Sequence, residues 1–316
     1  MSTTNPQLTE VASGFEHAGS VAERMGPRLR PETPSERVAR LFSNSLVTVI
    51  VVVIGLAWSV PTIGLLITSF RPVALINSSG WWTAIKPPWQ FTIENYQTVI
   101  TTNGLGQAFI NSLIITIPST FLTVLVASFA AYAFAWMKFP GRNLIFLTIV
   151  GLQVVPLQLA LIPALSIFVN IGISGSFVAI WLFHAAYGIP FAIYLLRSFF
   201  GALPSDLFES AHIDGAGHVT VFFRLLLPLS VPSLAALVIF QFMWVWNDLL
   251  VALILLGGSP DKAPMTVVIA NLVNSYGSGY QLLTAAAFLS MALPLIIFLS
   301  LQRYFVRGIL AGSIKG

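Results

Sequence analysis

The chain has 316 residues and a net charge of +4, with 56% hydrophobic and only 8% charged residues. A soluble globular domain carries about 25% charged residues, so this composition excludes that class and predicts a protein dissolved in a lipid bilayer. The basic residues lie between apolar runs and not on one face, so membrane topology accounts for them and nucleic-acid binding does not. Because there is no cysteine, disulfides, thiolate chemistry and Cys-based metal sites are excluded as well.

Residues 1–43 are rich in proline, glycine, serine and mixed charge. No apolar core follows the start of the chain, so this segment is not expected to act as a cleavable signal peptide. The composition predicts a disordered cytoplasmic tail.

Six apolar runs follow, each about as long as the 20 residues that a membrane-spanning helix needs. They cover residues 45–70, 109–136, the two halves of 143–196 divided by glycines and serines at 170–176, 234–256 and 281–301. The sequence therefore predicts an all-α, polytopic membrane bundle of six transmembrane helices over residues 44–303. Prolines in or beside the runs predict kinks, which suit either a protein that changes shape or simple packing: Pro61, Pro118, Pro156, Pro163, Pro190 and Pro294.

The lysines and arginines orient this bundle. With the N-terminus inside, 12 of them fall on inner segments and only Arg71, Lys86 and Lys262 fall on outer ones. Cytoplasmic loops carry the excess of basic residues, so both termini are predicted to be cytoplasmic. The outer loops are then 71–106 and 257–280, and residues 304–316 form a cytoplasmic tail.

A cytoplasmic loop, residues 201–233, lies between spans four and five. Ser205 is the expected N-cap of a short helix, and Asp206 and Glu209 add negative charge in its first turn. Gly215 is expected to stop this helix after Asp214. A second short helix over 219–226 should end at Pro228. The acidic face of this helix pair opposes DNA binding and favours docking onto a cytoplasmic partner.

The residues of this loop follow a family pattern at fixed spacing. They are Glu209, Ser210, Ala211, Asp214, Gly215, Ala216, Phe222, Leu225, Leu227, Pro228 and Pro232. The pattern resembles the "EAA" loop of binding-protein-dependent ABC importer permeases, with Ser210 in place of Ala and Leu225 in place of Ile. Segments 109–113, 130–134, 139–142, 189–191, 301–304 and 311–316 are similar to the sugar-importing branch, and the ending is similar to the second permease of maltose-type importers. Only residues 1–43 fall outside the resemblance.

The resemblance implies a role for each residue of the loop. Glu209 would be the ionic anchor in a cleft of an ATPase subunit, Asp214 and Gly215 would form the turn, and Phe222 with Leu225 would fix the loop to the membrane domain. Ala211 and Ala216 would allow close approach, while Ser210 and Pro228 complete the motif. In the tail, Gly312 and Lys315 would contact the ATPase subunits.

The same resemblance implies the partners. They are a second homologous permease, two ATPase subunits, an extracytoplasmic solute-binding protein and the lipid of a bacterial or archaeal cytoplasmic membrane. No Walker A sequence occurs in the chain, so ATP and Mg²⁺ are expected on the ATPase subunits, and this chain is expected to hold no cofactor and to be no enzyme.

Asp248 is the only charged residue inside a predicted span. Charge in a membrane tends to face a cavity or a partner, and Gln241, Trp244 and Asn247 supply the hydrogen-bonding and aromatic groups of a sugar site. The four residues are therefore candidates for the substrate pathway, with a structural or gating role for Asp248 as the alternative. His184 is expected to be a packing residue with satisfied hydrogen bonds.

Three functions compete at this point. The first is an ABC permease for a sugar or oligosaccharide, supported by the similarity of 246–250 to α-glucoside systems. The second is an ABC permease for another solute, such as a polyamine, phosphate or glycerol phosphate. The third is a secondary transporter or channel, which would not need a loop that docks an ATPase.

Overall fold

The structure, a computed structural model, describes residues 34–102, 104–272 and 279–313, with side chains from 46 to 302 within those ranges. All regular structure in these ranges is helical, in agreement with the all-α prediction. The helices, in chain order, are α1 (Pro34–Ser69), α2 (Val73–Ile76), α3 (Glu94–Thr101), α4 (Leu105–Trp136), α5 (Arg142–Gly151), α6 (Leu157–Asn170), α7 (Phe177–Phe200), α8 (Ser205–Ile213), α9 (His218–Val221), α10 (Leu227–Leu229), α11 (Val231–Trp246), α12 (Leu250–Leu255), α13 (Met265–Ala270) and α14 (Tyr280–Ser313).

The chain divides into two compact units, Met1–Thr62 and Ile63–Gly316, which are described separately. In the first unit, α1 begins at Pro34, so residues 34–43 are helical and the prediction of a disordered tail is wrong for them. Proline suits the first turn of a helix, where its missing N–H has no partner to lose. Residues 1–33 lie outside the described ranges. The apolar side chains from Leu46 to Thr62 are almost all exposed.

Several helices are long and apolar enough to cross a membrane. Among the described residues, four do so singly, Leu46–Ser69, Leu105–Trp136, Phe177–Phe200 and Tyr280–Gln302. Two bent pairs bring the number to six if each pair is one span. The predicted apolar runs are therefore present as helices in a multi-pass bundle.

The third run is broken at Pro156. The segment Arg142–Val154 and helix α6 meet there at 102°. Pro156 has no N–H to donate, and Val155 before it takes the extended conformation that a following proline imposes. The prolines at 61, 118, 163, 190 and 294 lie inside helices that continue through them.

The fifth predicted run, 234–256, is not one helix. Helix α11 ends at Trp246, and α12 begins separately at Leu250. The side chain of Asp248 accepts hydrogen bonds from the N–H groups of Val251 and Ala252, and such local bonds compete with a continuous helix. The periodicity of apolar residues does not register this break, because both sides of it are apolar.

The second unit is built around α4. This helix lies along α7 and α11, and α11 also packs against α14. Ala127 and Ala131 of α4 are fully buried in the same cluster as Ala192 of α7, where small side chains allow the helices to approach closely. These contacts fix the ends of α7 and α11, which carry the 201–233 loop and the residues around Asp248.

Candidate functional site

The 201–233 loop begins with α8. The prediction that Ser205 caps this helix is wrong by one residue, since Pro204 is the N-cap and Ser205 is the first helical residue. The hydroxyl of Ser205 lies 3.3 Å from Oδ1 of Asp206, to which it donates, and not over the backbone N–H groups. Helix boundaries read from sequence shift easily by a residue.

The end of α8 agrees with the sequence. Asp214 is the C-cap, and Gly215 has φ +80°, a left-handed conformation that favours glycine. The N–H of Ala216 donates to the carbonyl of Ala211 at 2.9 Å, which closes the turn. The motif residues therefore form the tight turn that the sequence predicts.

The second half of the loop differs from the predicted helix over 219–226. Helix α9 covers His218–Val221, a π-helical turn follows over Phe222–Leu226, and α10 continues through Pro228 to Leu229. Proline is tolerated in α10 because it stands in the first turn of that helix. The extra residue in the π turn widens the helix beside the buried Phe222.

Aromatic side chains fix the loop to the membrane helices. Phe208 is buried and stacks on Trp136 of α4 at 3.8 Å between ring centroids, and Phe222 stacks on Phe129 at 4.5 Å. The hydroxyl of Tyr132 lies 2.9 Å from Nδ1 of His218. These stacked rings make the loop an extension of the membrane bundle.

The other side of α8 is exposed. Asp206, Glu209 and Ile213 follow the i, i+3, i+7 spacing of one helix face, and Ile213 is 85% exposed. We call these three residues, with the exposed Ser210 and Asp214 that border them, the acidic face. It combines three negative charges, those of Asp206, Glu209 and Asp214, with an exposed isoleucine.

A second region with open space lies where α5–α6, α7 and α11–α12 meet. We call it the Trp244 cavity; it has a volume of about 680 Å³. Its lining consists of Pro156, Leu157, Gln158, Tyr187, Trp244, Asn247, Asp248, Leu249 and Leu250. A smaller cavity of about 230 Å³ shares Tyr187 and Trp244 with it and also borders Gln241. Of the four predicted pathway residues, three therefore line the larger space and Gln241 the smaller one.

Asp248 connects several elements around the cavity. Its Oδ1 accepts from the N–H of Val251 at 3.3 Å and its Oδ2 from the N–H of Ala252 at 3.0 Å. Its carbonyl accepts from the hydroxyl of Thr266, in α13, at 2.6 Å. The side chain is only 12% exposed. Asp248 thus binds the first N–H groups of α12 and also lines the cavity, while its place on a substrate pathway stays a prediction.

His184 on α7 lies next to this carboxylate. It is fully buried, and its Nε2 is 3.6 Å from Oδ2 of Asp248. Neither ring nitrogen has a hydrogen-bond partner among the described residues, so the expectation of a satisfied packing residue is wrong. Its ring meets that of Trp244 edge to face at 5.1 Å between centroids. His184 therefore supports both the ring and the carboxylate of the cavity wall.

Known proteins resemble this chain. Residues 123–311 match the family described as binding-protein-dependent transport system inner membrane component. The chain belongs to this family. The permease is 52% identical to the osmoprotective compounds uptake permease protein GgtD of Synechocystis sp., over 89% of this chain and 95% of that protein. It is 48% identical to the alpha-glucoside transport system permease protein AglG of Rhizobium meliloti, over 75% of this chain and 63% of that protein.

The fold of the permease has solved counterparts. It matches a bacterial ABC transporter involved in the import of the acidic polysaccharide alginate with a TM-score of 0.71, over 87% of this chain and 99% of that chain. The sequences are 19% identical, so the likeness is one of fold alone. The resemblance recognised from the 201–233 loop is confirmed, and the alternative of a secondary transporter or channel is wrong.

Sequence reasoning missed several residues that the structure of the permease brings together. Tyr187 stacks on Trp244 at 5.7 Å, and its hydroxyl donates to the carbonyl of Val155 at 2.9 Å. Phe208 was also missed, although its spacing from the apolar Ala211 indicates the inner face of α8. A lone histidine and a lone aspartate in otherwise uncharged spans were the signal for the contact between His184 and Asp248.

Gln241 has a more enclosed position than the other predicted pathway residues of the permease. It is 4% exposed, and its amide donates to the carbonyl of His184 at 3.5 Å. Its amide also lies over Gly188, where a Cβ would stand only 2.6 Å from Oε1. Gln241 joins α11 to α7 at the edge of the smaller cavity. Asn247 is exposed, and its amide donates to the carbonyl of Met243 at 2.7 Å.

The segment 71–106 of the permease is organised by Arg71. This guanidinium is 1% exposed and donates to the carbonyls of Leu75 and Ser79 and to the hydroxyl of Ser79. Burial lowers the pKa of the Arg71 guanidinium from its ordinary value. Asn95 donates to the carbonyls of Ser69 and Arg71 at 2.9 Å each. A buried cation bonded to carbonyls holds this segment in one conformation.

Two predicted contacts in the tail remain predictions. Gly312 lies in the last turn of α14, in a stretch whose side chains are not described. Lys315 lies outside the described residues.

Proposed function

We propose that this permease forms half of the translocation pathway of an ATP-driven importer for a sugar or oligosaccharide. The observation that carries the proposal is that α8 has one face packed on the membrane helices and another face exposed. Phe208 holds one side to the membrane bundle, while the acidic face on the other side is free to dock. Because stacked and buried side chains resist deformation, a movement of the loop is transmitted to the membrane helices.

The docking partner in this proposal is an ATPase subunit. Glu209 is the ionic anchor to a basic residue there, and Ile213 fills an apolar part of the same cleft. Ser210, Ala211, Asp214, Gly215 and Ala216 shape the surface, while Phe222 and Pro228 belong to the segment that returns the chain to the bundle. Gly312 and Lys315 of the tail add a second contact. ATP and Mg²⁺ are bound by the two ATPase subunits, and this chain carries no cofactor.

The bundle in this proposal has six spans with both termini in the cytoplasm. Each bent pair then counts as one span, and the 12 to 3 distribution of lysines and arginines supports the orientation. The exposed apolar face of α1 is covered by lipid or by the second, homologous permease. The complex lies in the cytoplasmic membrane of a bacterium or archaeon, and a solute-binding protein delivers the cargo to segments 71–106 and 257–280.

The cargo site in this proposal is the Trp244 cavity. Aromatic faces beside amide and carboxylate groups suit a polyhydroxylated solute, since the rings pack on its apolar faces and the polar groups bind its hydroxyls. Gln241, Trp244, Asn247 and Asp248 are the pathway residues. The names of several relatives support a sugar, among them AglG and the arabinooligosaccharides permease AraQ of Halalkalibacterium halodurans, which is 32% identical over 81% of this chain.

A second candidate cargo is a small osmoprotective solute. The name of GgtD, the 52% identical relative, favours it. A polyamine, phosphate or glycerol phosphate is the further alternative raised from sequence.

Co-purification and uptake test the proposed function together. The tagged permease, expressed from its native gene cluster, should copurify with a second permease and an ATPase. Proteoliposomes containing that complex should take up a labelled disaccharide only when two conditions are met. ATP must be present on the cytoplasmic side of the permease, and the binding protein must be present. Uptake without ATP, or purification of the permease alone from intact membranes, would refute the proposal.

A further inference from the structure

The Trp244 cavity has an uneven distribution of charge. Its polar lining groups are Gln158, Tyr187, Trp244, Asn247 and Asp248, and of these only Asp248 is ionic. Among the lining residues that the structure describes, none is a lysine, arginine or histidine. The wall therefore presents one negative charge and no positive charge to whatever enters the cavity.

The carboxylate of Asp248 is held in place and is not free to turn away. Two backbone N–H groups donate to it, one to each oxygen, and they fix its orientation at the start of α12. His184 lies 3.6 Å from Oδ2 but is fully buried and does not line the cavity. A solute in the cavity thus meets the carboxylate and the face of Trp244 but not the imidazole.

A carboxylate fixed in the wall of this open cavity acts differently on solutes of different charge. Hydroxyl groups can donate to its remaining lone pairs, so a neutral sugar gains a hydrogen bond there. An anion held about 6 Å away at an effective dielectric constant of about 40 loses roughly tenfold in affinity. A cation on the same scaffold is attracted.

We propose that Asp248 makes the Trp244 cavity a charge filter that admits neutral polyhydroxylated solutes and rejects anionic ones, such as sugars that carry a carboxylate or phosphate. This inference rests on the proposed function, because it requires the cavity to lie on the cargo pathway. The likeness to a transporter of an acidic polysaccharide, at 19% identity, is one of fold alone and carries no argument about the charge of the cargo. The filter also disfavours phosphate and glycerol phosphate as cargo.

The test compares three forms of one sugar scaffold. The complete transporter in lipid nanodiscs, without its binding protein, is titrated with maltose, sucrose and trehalose, with their C6 uronates and with their C6 amines. Saturation-transfer NMR detects the weak binding expected in the absence of the binding protein.

Wild-type transporter should bind at least one neutral disaccharide and should bind its uronate about tenfold more weakly. The amine should bind at least as well as the neutral form. Asp248→Asn keeps the side-chain shape and removes the charge, so it should bring the three affinities within about threefold of one another. Asp261→Asn, which removes an exposed carboxylate that does not line the cavity, should leave the tenfold difference in place.

The outcomes separate the inference from the proposed function. Equal binding of neutral sugar and uronate by wild type, or a difference that survives Asp248→Asn, overturns the charge filter and leaves the sugar cargo standing. Failure of every neutral disaccharide to bind overturns the proposed sugar cargo, and the filter with it.

Discussion

The 201–233 loop and the Trp244 cavity place their functional groups in opposite ways. In the loop, the anchoring Phe208 and the exposed Glu209 are neighbours in sequence, and the rotation of about 100° per helical residue turns them to different faces of α8. In the cavity, Tyr187 and Trp244 are 57 positions apart and meet only because α7 packs beside α11. The functional groups of a surface built from one segment can be recognised together in the sequence. Those of a cavity built from three segments cannot.

The two regions also differ in what surrounds their charges. The carboxylate of Glu209 is exposed, so its charge contributes binding energy only when a partner docks against it. The carboxylate of Asp248 is 12% exposed and is already bonded to two N–H groups of its own chain. Changes in the loop should therefore impair coupling to the partner, and changes at the cavity should alter which solute passes.

The largest expected effect is that of Glu209→Lys. Reversal of the charge on the acidic face replaces attraction to a basic ATPase residue by repulsion, so ATP-driven uptake should fall by more than about tenfold, since like charges in contact cost over 1.4 kcal/mol. Glu209→Gln removes the charge without reversing it, so its uptake rate should lie between those of wild type and Glu209→Lys. Uptake rates in proteoliposomes, normalised to the amount of inserted permease, measure both. Normal uptake by Glu209→Lys would remove Glu209 from the docking surface.

A smaller effect is expected from Phe208→Ala, which attacks the other side of the same helix. Loss of the ring stacked on Trp136 leaves a cavity under α8 and should destabilise the packed loop by about 3 kcal/mol. The loop should become sensitive to limited proteolysis, and ATP hydrolysis should continue without uptake. Leu207→Ala is the matched control, because Leu207 is the adjacent residue and is 43% exposed. Equal protease sensitivity of the two variants would show that Phe208 does not anchor the loop.

The smallest effect on stability is expected at the cavity, from His184→Phe. Phenylalanine keeps a ring against Trp244 and removes two buried nitrogens that have no hydrogen-bond partner in the described part of the chain. The thermal stability of the purified transporter should therefore stay within about 1 kcal/mol of wild type. The apparent affinity for cargo should weaken, because Asp248 loses the neighbour at 3.6 Å. A loss of several kcal/mol with unchanged cargo affinity would make His184 a structural residue only.

The sequence predicted much of the loop because its signals are local. Gly215, Asp214 and the acidic first turn specify the helix end and its charge within ten residues, and the structure confirms the turn. The predicted cap at Ser205 is wrong by one residue. The helix predicted over 219–226 is wrong in kind, since a short α-helix, a π turn over Phe222–Leu226 and a further helix through Pro228 replace it. They depend on hydrogen bonds that a sequence does not specify uniquely.

The cavity was only half predictable. Trp244, Asn247 and Asp248 could be singled out because polar and aromatic groups are conspicuous in an apolar run. Tyr187 and His184 could not be joined to them, since their partners are set by packing between distant helices. The break between α11 and α12 was missed for a related reason. The mean hydropathy is high on both sides of the break and so does not reveal it, whereas the hydrogen bonds of the Asp248 side chain favour the break.

Site-specific cross-linking tests the central claim, that the acidic face of α8 docks an ATPase subunit. The chain has no cysteine, so Ile213→Cys introduces a unique thiol on that face. Trp82→Cys, in the segment 71–106 and 62% exposed, is the control. In native membranes, a short thiol-to-amine cross-linker should join Ile213→Cys to the ATPase, with a yield that changes when ATP is added, and should leave Trp82→Cys unlinked. Absence of the ATPase adduct at position 213, or an equal adduct at position 82, would contradict the account.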